Sequence, residues 1–209
     1  MSMKKIRSSA ATLAQSILEC MTGVRQNIPK GASIYAVALV VSDDFDSLAV
    51  YANTDLHLAK SKGRALDKWY FGQFWSEGMG VESHSLVDQL GEVEDSDEKP
   101  ATGNAADWLA AMTDAMRTAK LNGAFASSGK EPFLFCSMID SLNAVWLEDC
   151  SAKFLNAADS YAAVAPELSA AAKEWYIEDD DEEDGDIEEG REAFKTAYKN
   201  ILSQLGRTT

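Results

Sequence analysis

Hydrophobic positions first fall at helical spacing. Ile6, Ala10, Leu13, Ile17 and Met21 form one stripe between Lys5 and Thr22, which predicts an amphipathic helix stopped by Gly23. The pattern then changes. SIYAVALVV, beginning at Ser33, is an almost unbroken apolar run rich in Val. SLAVYANT, ending at Thr54, alternates Leu48, Val50 and Ala52 against Ala49, Tyr51 and Asn53. The acidic SDDFD between them suits a hairpin loop. A continuous apolar run predicts a strand covered on both faces, and therefore central in its sheet.

Thr54 can cap a helix running from Asp55 towards Leu66. In KWYFGQFWSEG, five of the seven residues from Trp69 to Trp75 are aromatic, with rings on both parities. That spacing fits a third strand with its rings in the core. It also fits a partly exposed platform in which Trp69, Tyr70 and Trp75 anchor a partner. A short helix is expected over 81–90, then an acidic loop holding Glu92, Glu94, Asp95, Asp97 and Glu98. Asn104 with Asp107 resembles a capping box opening a helix with Trp108, Met112, Ala115, Met116 and Ala119 on its apolar face.

FLFCSMI after Pro132 reads as a second core strand ending at Asp140. Asp140 or Ser141 can cap the next helix, whose apolar side carries Leu142, Val145, Trp146, Cys150 and Phe154 and which Asn156 ends. A further helix is expected to start near Pro166. A last one carries Phe194, Ala197, Tyr198, Ile201 and Leu205. The sum is one α+β domain over 1–177: a small, mainly antiparallel sheet packed against several helices. An acidic mobile loop over 178–190 and a docking C-terminal helix over 191–209 complete it.

Charge changes this picture. The formal net charge is −15, which argues against nucleic acid phosphates and anionic membrane surfaces as partners and favours a basic protein. Ten of the twelve residues from Glu178 to Glu189 are acidic; removing them would bring the charge to −5. Within this block, Asp179, Asp180, Asp181, Glu182, Glu183 and Asp184 are candidates for contact with a basic partner, together with the acids of 92–98. Gln15 and Glu19 interrupt the apolar part of the N-terminus, so no secretory signal is expected. No run approaches the ~18 apolar residues of a membrane span. Cys20, Cys136 and Cys150 sit in apolar-looking segments and read as buried thiols of a cytoplasmic protein.

Catalytic patterns are sparse. His57 and His84 lie outside any zinc-binding spacing, and the cysteines form no C-x-x-C pair, so neither a metal site nor a cofactor is expected. There is no G-x-S-x-G elbow, Walker loop or dinucleotide fingerprint. The carboxylates Asp43, Asp44, Asp46 and Asp140, with the aromatic cluster, remain the alternative: an enzyme or a small-ligand or metal-binding domain.

Two stretches, IYAVALVVSDDFDSLAVYANT and FLFCSMIDSLNAVWLEDCSAKFLN, resemble the opening and closing signatures of the bacterial family catalogued as domain of unknown function 4303. The shared pattern is Ile34 to Val41, Ala52-Asn53-Thr54, Trp69 to Trp75, and Phe133 to Asp140 with Leu155-Asn156. It spans about residues 5–160 and implies a fold but no catalytic residues. Small acidic domains of this type resemble immunity proteins by analogy. The expected function is non-enzymatic: neutralisation of a cognate toxin by direct binding and occlusion of its active site.

Overall fold

The first helix, α1 (Met3–Asn27), buries the stripe its spacing predicts, from Ile6 through Met21 to Val24. Ser2 caps it, accepting from the Lys4 amide at 3.3 Å. Gly23 does not stop it. A Cβ at Gly23 would stand 3.0 Å from Cε of Met79, the movable tip of a side chain on the sheet edge. The computed structural model describes residues 2–42, 45–60, 65–76, 78–81, 88, 90–91, 104–126, 130–139, 141, 143–176 and 185–206.

The hairpin forms as expected. β1 (Ile34–Val41) pairs antiparallel with β2 (Leu48–Thr54), from Val41 opposite Leu48 to Ala36 opposite Asn53, with an irregularity between Ile34 and Ala36. Ser42 organises the loop. Its Oγ accepts from the amides of Asp46 (3.1 Å) and Ser47 (3.0 Å) and bonds Asp46 Oδ1 at 2.9 Å. Phe45 takes φ 61 in the left-handed region and buries its ring, so apolar burial holds a backbone conformation that Phe ordinarily avoids.

β4 (Phe133–Met138) lies on the other side of β1 and runs parallel to it, from Ala36 opposite Phe133 to Val41 opposite Met138. The outermost strand on the β2 side, β3, is only Met79–Gly80. The sheet is therefore mixed, in the order β3-β2-β1-β4, with β1 inside it. On β1, Val37, Leu39 and Val41 enter one core, with α1, α4 (Ala105–Leu121) and α7 (Gly185–Gly206). Ala36, Ala38 and Val40 enter a second core on the opposite face, with α6 (Ala158–Tyr176) and the aromatic segment. The short α2 (Asp55–Leu58) follows β2 and is capped by Thr54, which accepts from the His57 amide. The part of this helix expected over 61–64 lies outside the described residues.

The aromatic segment is not a strand. α3 (Ala65–Trp69) is followed by a 3-10 turn at Phe71–Gln73. Trp69, Phe71 and Phe74 fill the second core, while Trp75 packs against the first. The chain thus wraps around the outer side of β2. There Ser76 replaces a strand partner, accepting from the Ala52 amide through Oγ (2.6 Å) and donating its own amide to the Ala52 carbonyl (3.0 Å).

α5 (Asn143–Leu155) packs along the outer side of β4. Asn156, just after it, accepts from the Leu134 amide (3.0 Å) and donates to the Leu134 carbonyl (2.7 Å). Ser151 does the same for Cys136, at 2.8 and 3.3 Å. Pro166 lies inside α6 rather than at its start; the helix begins at Ala158, and the proline is on an exposed side. α7 begins at Gly185, inside the acidic run, and buries Phe194, Tyr198, Leu202 and Leu205. The helix expected over 81–90 lies mostly outside the described residues.

Candidate partner-docking pole

The directions of the elements decide where the acidic segments attach. The C-terminal ends of β1 and β4 are adjacent: the Ile139 amide donates to the Val41 carbonyl at 2.9 Å. Phe45, in the loop after β1, meets Trp108 in the first turn of α4 edge-on, with centroids 6.0 Å apart. Trp108 Nε1 donates to the Gly91 carbonyl at 2.9 Å. Asn104 does not close a capping box; its Nδ2 donates to the carbonyls of Leu90 (2.7 Å) and Gly91 (3.1 Å). α5 also begins at this end, and its Trp146 packs edge-on against Phe194 of α7 at 5.3 Å.

The opposite pole holds the helix C-termini. Asn156, after α5, binds Leu134 near the start of β4. Arg25, in the last turn of α1, donates to the carbonyls of Gly123 and Ala124 after α4. Arg117 donates to the Leu205 carbonyl at the end of α7 (3.4 Å), and Lys120 to that of Leu155 at the end of α5 (3.0 Å). So α1, α4, α5 and α7 all run against β1 and β4. Their positive dipole ends face one pole, and basic side chains meet the negative ends at the other.

The sequence segment 92–103 leaves the described structure at Gly91 and re-enters at Asn104, both at the positive-dipole pole. The segment 177–184 re-enters at Gly185, nine residues before Phe194, or about 13 Å of helix beyond the Trp146 contact. α6 turns back beside α5, Tyr161 donating to Asp149 Oδ1 at 2.6 Å, so its end points the same way. Glu92, Glu94, Asp95, Asp97, Glu98 and the acids 179–184 themselves lie outside the described residues, and His84, Asp43, Asp44 and Asp140 do too.

The aromatic candidates are placed elsewhere. Trp69 is 6% exposed, stacks edge-on with Tyr35 (5.8 Å) and Phe133 (5.3 Å), and donates Nε1–H to Glu167 Oε2 at 3.1 Å. It is a core residue rather than an exposed anchor. Tyr70 and Trp75 are half-buried, Tyr70 against Phe71 at 5.0 Å and Trp75 against the first core. Trp69 belongs with Tyr35 and Phe133 near the starts of β1 and β4, whereas Asp46 sits in the loop after β1. Asp46, the described carboxylate of the alternative site, is thus not brought to Trp69.

Sequence reasoning missed a buried polar chain. Glu148 is 4% exposed and accepts from Ser137 Oγ at 2.6 Å; burial pushes its carboxyl up to about 8. Thr113 Oγ1 and the Tyr198 hydroxyl are 2.7 Å apart, with Cys136 Sγ 3.6 Å from Thr113. Burial drives the Cys136 thiol up to about 12, which makes it a poor nucleophile. Cys20 and Cys150 are only half-buried, against expectation, and burial raises both. The signal for Glu148 was its position between Leu147 and Ser151 on the inward side of α5.

Among the described residues no group of three or more His, Cys, Asp or Glu is placed to hold a metal ion, and no described helix is long and apolar enough to cross a membrane. No family model, no curated protein and no solved structure matches the chain, so the resemblance drawn from its two signature stretches rests on those motifs alone.

Proposed function

We propose that this chain is a binding protein that presents an acidic pole to a basic macromolecular partner, most concretely a toxin domain whose active site it occludes. One observation supports the reading: the two most acidic sequence segments are both tethered at the pole where four helices place their N-termini. These four positive dipole ends, against the one negative end of α6, lower the cost of concentrating negative charge there. The opposite charge of a partner would then steer encounter and fix orientation.

The test is capture of partners from a bacterial lysate, followed by association kinetics with the captured protein. The kinetics compare the full chain with a variant carrying Asn and Gln at the acidic positions of 178–184. On this reading the variant associates about tenfold or more slowly at low salt, and the difference vanishes near 0.5 M salt, where the Debye length is only about 4 Å. Equal association rates at low salt would reject the reading.

A further inference from the structure

We propose that the cleft between the end of α1 and the start of β1 binds a small organic carboxylate with an apolar body. This site stands apart from the acidic pole, at the opposite end of the molecule. Its volume of about 390 Å³ falls in the range of small-ligand pockets. Met21, Ile28, Phe125 and Pro132 give it apolar walls. Among the described residues the charged side chains lining it are Arg25 and Lys30; Asp55 reaches its rim only through Ser33, whose amide donates to Asp55 Oδ1 at 2.8 Å.

Among the described residues both cations have unused capacity. Arg25 commits Nη2 to the Gly123 and Ala124 carbonyls, and among the described residues its Nε and Nη1 have no partner. Lys30 likewise has no ion pair or hydrogen-bond partner among them. In a chain of net charge −15, a cavity whose described charged lining is two cations is the unusual feature.

The guanidinium is also preorganised. The loop it grips is fixed by the end of α4: the Gly123 amide donates to Lys120 (3.0 Å) and the Ala124 amide to Ala119 (2.9 Å), with Gly123 at φ 80. A planar fork held in place loses little freedom on pairing with a carboxylate. Gly31, with φ 85, has open space where a Cβ would stand, which leaves the mouth beside Lys30 unobstructed.

The test is an NMR titration of the full ¹⁵N-labelled chain with hexanoate, with hexanamide as the uncharged control. Saturable shifts are expected at the amides of Ala32, Ser33, Phe125 and Ala126 and at Arg25 Nε. Hexanamide should bind about tenfold or more weakly, the equivalent of one charge-assisted contact. Because Arg25 also holds the fold, Lys30→Gln is the primary variant. It should leave the rest of the spectrum unchanged and weaken hexanoate binding severalfold. Absence of saturation, equal binding of hexanamide, or an unchanged affinity in Lys30→Gln would each overturn the proposal.

Discussion

Lys120, in the last turn of α4, donates its ammonium to the backbone carbonyl of Leu155, the final residue of α5, at 3.0 Å. One helix thus supplies the C-terminal cap of its neighbour, and Arg117 and Arg25 repeat the arrangement at α7 and after α4. Lys120→Met should lower stability by about 1–2 kcal/mol, while Lys120→Arg should retain most of it. The pair with Glu131 at 3.2 Å adds little, because that carboxylate is 58% exposed. Urea denaturation checks this as a shift in midpoint at constant slope.

Glu148 predicts an inverted pH dependence. Its folded-state pKa, about 8, lies above its ordinary 4.5. Between these values the folded chain holds a proton that the unfolded chain releases. Its contribution is therefore fully present below pH 4.5 and is lost as pH rises towards 8. Asp107, also raised by burial, acts in the same direction. Glu148→Gln should flatten that decline and be more stable than the parent at pH 8 by about 2 kcal/mol or more. Urea midpoints at pH 5 and pH 8 decide it; an unaltered slope in the variant would remove Glu148 as the cause.

The hydroxyl pair between Thr113 and Tyr198 ties α7 to the body of the domain. Tyr198→Phe should lower stability by about 1 kcal/mol, and Tyr198→Ala by about 3–5 kcal/mol. A double-mutant cycle with Thr113→Val should show coupling, since each hydroxyl is the other's buried partner. Additive effects would show that the bond contributes nothing beyond packing.

Trp69 separates core from interface. Its ring fills the second core and its N–H serves Glu167, whose carboxyl is held below the usual range first by that bond and then by Lys68. Trp69→Phe should lower stability by about 1 kcal/mol and leave partner binding unchanged. Neutralising residues 178–184 should do the reverse. Measuring urea midpoint and partner affinity on the same two variants tests the assignment.

Much of this was legible in the residues. The run from Ile34 to Val41 announced a covered strand, and it is central because both of its faces carry apolar side chains. The parallel pairing of β1 with β4 was not legible, since it depends on a crossover through α4 rather than on either strand. The Trp69–Trp75 segment misled because alternate aromatic spacing also suits a 3-10 turn that wraps a sheet edge, sending Phe71 to one core and Trp75 to the other. Pro166 read as a helix start because its missing N–H suits a first turn, yet an exposed side of α6 accommodates it. The acidic segments were plain in the sequence. Their attachment at one pole was not, because it follows from helix directions that only packing sets.

The side chains of Asn156 and Ser151 have a consequence beyond α5 itself. Between them they occupy the amide and carbonyl groups of Leu134 and Cys136 that face away from β1. Those groups would otherwise template another chain's backbone. At the far margin, β3 has just two residues, too few to guide a stranger into register. The sheet is therefore closed to recruitment from either side, and a protein of this fold is protected from polymerising through its strands.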